Sequence, residues 1–163
     1  MRLFVAIKTD RSVNAALKNV ASSLRLFGNG AFCGEDLYHV TLAFIGESDR
    51  VQDIKAVLDG IKQAPFDISL SGIGNFGNTY YVGISHSVQL NALQKSVSDG
   101  LIKAGFNIEK RPFKPHITLA RRYAPDMDPV VFVPSAVLRV EKVLIMQSVG
   151  GVYKTVYEKD LNA

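Results

Sequence analysis

The chain has 163 residues and a formal net charge of +4, with 47% apolar and 21% charged residues. That length suits one compact domain or two small, closely packed lobes, and the composition is typical of a soluble globular protein. No apolar run approaches the roughly 18 residues that a membrane-spanning helix needs, and the apolar stretch at the N-terminus is too short for a signal peptide. The single cysteine, Cys33, excludes an internal disulfide and is typical of a reducing compartment, so we expect a cytoplasmic protein.

Hydrophobic periodicity and turn residues predict the elements in chain order. The first half is expected to contain a strand over 3–8, a helix from Asp10 to the turn 28–30, a strand over 38–45, a helix from about Asp49 to before Pro65, and a strand over 66–73. The second half is expected to contain a strand over 79–85, a helix over 87–104, a strand over 113–121, a loop over 123–134, and a terminal hairpin of strands 137–148 and 152–159. Interleaved strands and helices predict an α+β protein with an antiparallel or mixed sheet and helices outside it.

The chain aligns with itself without a gap when it is displaced so that His39 falls on His116, which gives a repeat with a period of 77. The tetrapeptide His39-Val40-Thr41-Leu42 then falls on His116-Ile117-Thr118-Leu119. Further identities precede it at the same displacement: Val5/Val82, Ile7/Ile84, Asn14/Asn91, Ala15/Ala92, Lys18/Lys95, Val20/Val97, Leu24/Leu101 and Gly28/Gly105. A unit this long, present twice, is not a solenoid repeat. We therefore expect one domain over residues 1–163, made by internal duplication of two pseudo-symmetric lobes around a central cleft.

The two tetrapeptides predict a face that carries histidine and threonine. Side chains of a strand alternate between its two faces, so the side chains predicted to share the cleft face are His39, Thr41 and Ala43 in one copy and His116, Thr118 and Ala120 in the other. The same alternation places Arg122, rather than Arg121, on that face. One His-x-Thr would be unremarkable, because threonine favours strands. Two in register indicate a pair of imidazoles that supply a general acid and a general base without a metal.

The paired His-x-Thr motifs resemble those of the 2H phosphoesterase superfamily, and the flanking segments are similar to its RNA 2′,3′-cyclic phosphodiesterases, historically called 2′-5′ RNA ligases. The similar segments span the whole chain: 2–7, 38–47, 113–121, 147–148 and 151–153. The resemblance implies two lobes, each an antiparallel sheet with helices outside, around the cleft. It also implies hydrolysis of RNA 2′,3′-cyclic phosphate ends to a 2′-phosphomonoester, without metal or other cofactor.

The resemblance implies His39 as proton donor and His116 as proton acceptor, although the residues alone leave these roles exchangeable. Thr41 and Thr118 are expected to contact phosphate, since preorganised donors stabilise charge on its oxygens. The family pattern adds Arg121 as a phosphate contact. We expect a monomer without membrane association, whose partner is an RNA or nucleotide bearing a 2′,3′-cyclic phosphate.

Two other functions fit the same residues, namely ligation of a cyclic-phosphate end to a 5′-hydroxyl and non-catalytic binding of RNA ends. Tyr153 and Ser148 are candidates to line the cleft. Stacking on a base by Phe113 or Tyr38 is an alternative to their packing in a core. We interpret His86 as a surface or capping residue and Gly72-Ile73-Gly74 as part of a hairpin connection, and no Cys or His cluster around Cys33 has metal-ligand spacing.

Overall fold

The computed structural model describes all 163 residues and contains three α-helices and nine strands. The elements are β1 (Arg2–Lys8), α1 (Arg11–Phe27), β2 (Gly28–Phe32), β3 (His39–Glu47), α2 (Val51–Asp59), β4 (Phe66–Phe76), β5 (Thr79–Ile84), α3 (Val88–Lys103), β6 (His116–Pro125), β7 (Val137–Val140), β8 (Lys142–Val149) and β9 (Val152–Asp160). A single 3₁₀ turn at Glu35–Leu37 precedes β3. None of the helices combines the length and the apolar character that crossing a membrane would require.

The strands form two antiparallel sheets, which confirms the predicted two-lobed α+β fold. The first sheet has the order β3-β1-β8-β9 and the second the order β2-β6-β5-β4-β7. The strand–helix–strand unit β1-α1-β3 recurs one repeat period later as β5-α3-β6. In each sheet the strand that carries a His-x-Thr motif is paired with the strand that opens its own unit.

Each unit packs its helix on the sheet of the other unit. Helix α1 follows β1 of the first sheet but contacts β2, β6 and β7 of the second. Helix α3 follows β5 of the second sheet but contacts β3 of the first, where α2 also contacts β8 and β9. The buried apolar side chains consequently form one core that runs through both lobes, and this exchange holds β3 beside β6.

Equivalent side chains begin the two exchanged helices. The carboxylate of Asp10 accepts a hydrogen bond of 3.0 Å from the backbone N–H of Val13. The hydroxyl oxygen of Ser87, at the matching position of the second unit, accepts one of the same length from Leu90. Both are N-caps, which satisfy donors that the first helical turn leaves free. The predicted helix start at Asp10 is therefore confirmed.

Three segments differ in kind from the sequence prediction. The stretch Gly72-Ile73-Gly74, expected in a hairpin connection, lies inside strand β4, and the turn to β5 comes later, at Gly77 and Asn78.

The predicted turn after α1 is strand β2, because Gly28 lies so close to β6 that a Cβ atom there would be 2.3 Å from the carbonyl oxygen of Ala124. The predicted strand 137–148 is two strands in different sheets: β7 pairs with β4 and β8 pairs with β1. The chain crosses between the lobes at Glu141, whose carbonyl accepts a hydrogen bond from Leu161.

The two motif strands carry a β-bulge at the same place. Strand β1 advances by one residue while β3 advances from Thr41 to Ala43. Strand β5 likewise advances by one residue while β6 advances from Thr118 to Ala120. A bulge places two residues opposite one and so reverses the alternation of faces beyond it. The faces assigned by strict alternation therefore hold only as far as the threonines.

Candidate active site

The two motif histidines are held in the same tautomer by equivalent backbone contacts. Nδ1 of His39 lies 2.7 Å from the carbonyl oxygen of Leu37, and Nδ1 of His116 lies 2.7 Å from that of Lys114. A carbonyl oxygen can only accept, so each Nδ1 carries the proton. Nε2 of each neutral ring is consequently an acceptor, and in each charged ring it becomes a donor. This pair of rings has the atoms that a general base and a general acid require.

The environment of His39 favours its neutral form. Burial lowers the pKa of His39 below its ordinary value, and the positive charges of Arg121 and His116 lower it further. The hydrogen bond to the Leu37 carbonyl acts on this pKa in the opposite direction. Strands β3 and β6, which carry the two rings, are in contact, and the charge of His116 acts on His39, so the two histidines form one candidate site.

The threonines lie on the motif face, and one of them contacts its histidine. Oγ1 of Thr41 is 2.9 Å from Nε2 of His39, so the hydroxyl donates to the neutral ring. Thr118 occupies the equivalent half-buried position beside His116 on β6. The Thr41 hydroxyl is therefore near enough to Nε2 of its histidine to donate to an anion bound there.

Aromatic rings hold His39 from two sides. The ring centroids of Phe4 and Tyr153 lie 5.2 Å from that of His39, with Tyr153 edge-on, and 5.0 Å from each other. Phe4 belongs to a small buried cluster separate from the main core, consisting of Phe4, Ala6, Leu144 and Met146. This packing explains the burial of His39 and places Tyr153 beside the motif histidine, as the sequence suggested.

A second pair of aromatic rings holds His116. The centroids of Phe76 and Tyr81 each lie 5.0 Å from that of His116 and 4.6 Å from each other. The ring of Tyr81 lies against Gly74, where a Cβ atom would be 2.7 Å from its ring carbons. Tyr81 is the repeat equivalent of Phe4, so the same position supports both histidines.

The bulges correct the prediction that Arg122 shares the histidine face. Ala43 and Ala120 enter the core, whereas the residues after them, Phe44 and Arg121, are exposed. The guanidinium of Arg121 lies 3.9 Å from the sulfur of Cys33, and its charge lowers the pKa of His39. Arg122 is exposed and has a φ of 50°, a left-handed backbone conformation. Of the two arginines, Arg121, the residue selected by the family pattern, is the one whose charge acts on His39.

The remaining candidates are placed as follows. Tyr38 is buried in the core, and Phe113 is half-buried with its ring packed against the core. Ser148 is half-buried and pairs with Tyr153 across the terminal hairpin. His86 is exposed just before α3, as predicted.

No group of three or more His, Cys, Asp and Glu side chains is arranged to hold a metal ion. A recess of about 680 Å³ between α2 and α3 contains none of the motif residues, and its polar side chains are exposed. The motif residues lie instead at the junction of β3 and β6, away from this recess.

The sequence analysis named Tyr153 but missed the other aromatic neighbours of the histidines, Phe4, Phe76 and Tyr81. One signal was present: Phe4 and Tyr81 are separated by the repeat distance and directly precede the matching valines Val5 and Val82. Phe76 could not be found in this way, because its equivalent at the repeat distance is Tyr153 and their strands are not equivalent. Only the tertiary structure places Phe76 beside His116 and Tyr153 beside His39.

Replacing Arg121 by Gln should raise the pKa of His39, because a positive charge that opposes protonation is removed. The midpoint of the His39 ring resonance in an NMR pH titration should move to higher pH. Arg122→Gln is the matched control, since Arg122 does not contribute to the shift of His39. An unchanged midpoint in Arg121→Gln would remove Arg121 from the site.

Replacing Gly74 by Ala should displace the Tyr81 ring, because the added Cβ would lie 2.6 Å from its hydroxyl oxygen. The ring-current shift that Tyr81 imposes on the His116 ring protons should change, while the fold measured by circular dichroism stays. Gly72→Ala is the control, since a Cβ there meets nothing within 4 Å. Equal spectra of His116 in both variants would show that Tyr81 does not position this ring.

Comparison with known proteins agrees with the resemblance of the motifs. The family model described as the 2′-5′ RNA ligase superfamily matches residues 10–147. An RNA 2′,3′-cyclic phosphodiesterase of Archaeoglobus fulgidus is 34% identical over 141 residues, which are 80% of this chain and 79% of that protein. An RNA 2′,3′-cyclic phosphodiesterase of Geobacillus stearothermophilus is 34% identical over 98 residues, which are 55% of this chain. The match spans only 31% of that longer protein.

A crystal structure from Thermus thermophilus has the same architecture over the full length. It superposes with a TM-score of 0.82 at 26% identity and covers 99% of this chain and 98% of its own. The family model covers most of the chain, and the paired motifs lie inside the matched region. The chain therefore belongs to the 2′-5′ RNA ligase superfamily, as its two His-x-Thr motifs predicted.

Proposed function

We propose that the protein hydrolyses the 2′,3′-cyclic phosphate at RNA ends to a 2′-phosphomonoester by acid–base catalysis with two histidines. The observation that carries this proposal is the pair of Nδ1–H bonds to the carbonyl oxygens of Leu37 and Lys114. These bonds leave two Nε2 atoms as the reactive groups of one site. Relatives named RNA 2′,3′-cyclic phosphodiesterase, with about one third identity over most of the chain, support the same activity.

Opening the cyclic ester needs one proton removed and one supplied. Water attacks phosphorus while the P–O3′ bond breaks on the opposite side, so a base must face the water and an acid must face O3′. In the proposal Nε2 of His116 takes the proton of the water and Nε2 of His39 gives a proton to O3′. The product is a 2′-phosphate with a free 3′-hydroxyl, and the next turnover requires the two protonation states to be restored by solvent.

Charge on the nonbridging oxygens is proposed to be stabilised by the hydroxyls of Thr41 and Thr118 and by Arg121. Fixed donors stabilise such charge effectively because they need no reorganisation during the reaction. The Thr41 hydroxyl donates to the neutral His39 ring in the free protein. Once His39 is protonated, its Nε2 no longer accepts, and this hydroxyl becomes free to donate to phosphate.

Assignment of the acid to His39 requires that this ring is protonated when the substrate is bound. Burial and the charges of Arg121 and His116 lower its pKa in the free protein. A bound phosphodiester carries a negative charge that offsets both cations and so raises the pKa again. The hydrogen bond from Nδ1 to the Leu37 carbonyl also stabilises the protonated ring. Substrate binding thus favours the protonated form of His39, which the proposal requires as the acid.

Replacing either His39 or His116 by Ala should lower the rate on an oligonucleotide with a 2′,3′-cyclic phosphate end by about 100-fold or more, because each variant loses one proton transfer. His86→Ala is the control, as this histidine is exposed and outside the site. Product formation is followed by phosphorus NMR, with circular dichroism as a check of folding. Near-native rates in both site variants would refute the acid–base assignment.

The reaction should continue at an unchanged rate after dialysis against EDTA, because the two imidazoles supply both proton transfers and no side-chain cluster suited to a metal is present. The same cyclic-phosphate oligonucleotide serves as substrate, with added Mg²⁺ and Zn²⁺ in parallel samples. Loss of activity in EDTA, with recovery on addition of a divalent ion, would disprove a metal-independent mechanism.

A further inference from the structure

One row of directly opposed residues crosses strands β1, β8 and β9 of the first sheet. Arg2 lies opposite Ser148, and Ser148 lies opposite Tyr153. Directly opposed residues of an antiparallel pair project from the same face of the sheet. The ring of Tyr153 contacts the ring of His39, with 5.2 Å between their centroids. Arg2 and Ser148 therefore project from the face that carries the motif histidine.

The alternation of side chains along β1 places Arg2 on this face independently. Arg2 and Phe4 are two residues apart, and the pairing of β1 with β8 runs from Arg2 to Ala6 without a register shift. Side chains two residues apart in a strand share a face. The ring of Phe4 also contacts that of His39, at 5.2 Å between centroids. Two separate contacts of His39 thus assign Arg2 to the cleft face.

The guanidinium of Arg2 is a cation without an acidic partner. Arg2 is exposed and takes part in none of the ion pairs of the structure. Glu47 lies opposite Arg2 on β3, but its carboxylate pairs with the N-terminal ammonium group at 3.3 Å. The half-buried Ser148 adds a hydroxyl on the other side of Arg2. A guanidinium beside a hydroxyl suits a phosphate group, whose oxygens accept from both.

The spacing along β1 determines which phosphate Arg2 can meet. Thr41, whose hydroxyl contacts Nε2 of His39, lies opposite Ala6. Ala6 is four residues from Arg2, which is about 13 Å along a strand that rises about 3.3 Å per residue. The arginine side chain covers only part of this distance, so Arg2 does not share the phosphate at the histidines. The remaining gap suits the next phosphate of the same nucleotide chain.

We propose that Arg2 binds the phosphodiester on the 5′ side of the terminal ribose and so makes the protein selective for nucleotide chains over cyclic mononucleotides. This inference rests on the proposed function. A cyclic nucleoside phosphate has no second phosphate and leaves the guanidinium of Arg2 in water. A chain gains one charge-assisted hydrogen bond there. The selection depends on the charge of the backbone and not on the identity of the bases.

The test uses three substrates that differ at the position facing Arg2. They are adenosine 2′,3′-cyclic phosphate and two diadenosine 2′,3′-cyclic phosphates, linked by a phosphodiester or by a neutral methylphosphonate. A 2′-O-methyl group on the first ribose of both dinucleotides keeps the linkage intact. The wild type should cleave the diester with a kcat/KM about fivefold above that of the methylphosphonate, because only the diester has the charge that Arg2 binds.

Arg2→Gln should remove the advantage of the diester and leave kcat/KM on the other two substrates unchanged. Arg2→Lys should keep most of the advantage, because the charge remains although the planar fork is lost. The advantage of the diester in the wild type should also shrink as salt is added, since exposed charges are screened. A merely structural role of Arg2 would change the rates on all three substrates alike, and this result would overturn the inference.

The matched control is Lys154→Gln, which removes the same charge from the opposite face of the sheet. Lys154 is exposed, follows Tyr153 on β9 and lies opposite Gln147. This variant should retain the full advantage of the diester. Equal losses in Lys154→Gln and Arg2→Gln would assign the effect to net charge and overturn the inference. So would a wild type that cleaves the diester and the methylphosphonate equally well.

Binding tests the contact without turnover. Titration calorimetry with the diester-linked dinucleotide 2′-phosphate should show about fivefold weaker binding by Arg2→Gln than by the wild type, with adenosine 2′-monophosphate bound equally by both. Equal affinities for the dinucleotide would overturn the inference. A wild type that cleaves none of the three substrates would refute the proposed function, and the difference in dinucleotide affinity would then still decide the role of Arg2.

Discussion

The reciprocal packing of helices between the two sheets is the constraint on which the site depends. Helix α1 buries Val13, Leu17, Val20 and Leu24 against the sheet of the other unit, and α3 does the same in return. Each sheet is covered at least in part by a helix of the other unit, so the two lobes pack around a shared core. Strands β3 and β6 are brought side by side as a consequence of this core, and the two histidines come with them.

The matched bulges then determine which side chains join the histidines. Ideal pleating would send Phe44 into the core and leave Arg121 there as a buried charge, which is costly without a partner. One extra residue in each motif strand puts a small alanine into the core at both places and turns the larger side chains outward. The exchange keeps the core apolar and leaves an aromatic ring and a cation exposed on the motif strands. A local irregularity of the backbone thus determines the composition of the site.

Much of this could be predicted from sequence, and the parts that could not have specific physical reasons. The helix starts, the histidine faces and the two-lobed fold follow from caps, periodicity and the repeat, all of which are local or self-similar patterns. The bulge at Leu119 leaves no such pattern, since Leu119 and Ala120 are both apolar and either of them suits the core after Thr118. The division of 137–148 into two strands likewise leaves no signal in the sequence. Val140 and Val143 are both buried, although they belong to different sheets. Strand pairing, and not strand propensity, decides these cases.

The asymmetry of protonation follows from the same few side chains. Arg121 is the one residue of the site that acts on His39 without a counterpart across the repeat, and it lowers the pKa of the ring that the proposal makes the acid. A cation near the acid is unfavourable in the free protein but favourable once an anion lies between them, since the anion is attracted to both. The lowered pKa favours the neutral His39 ring in the free protein, with its Nε2 accepting from Thr41. In the proposed function, a bound phosphate supplies the negative charge that lets His39 take up a proton, and the Thr41 hydroxyl is then released toward the phosphate. In this scheme the negative charge of the substrate favours protonation of His39. A neutral ligand of the same shape would leave His39 neutral and Thr41 bonded to it.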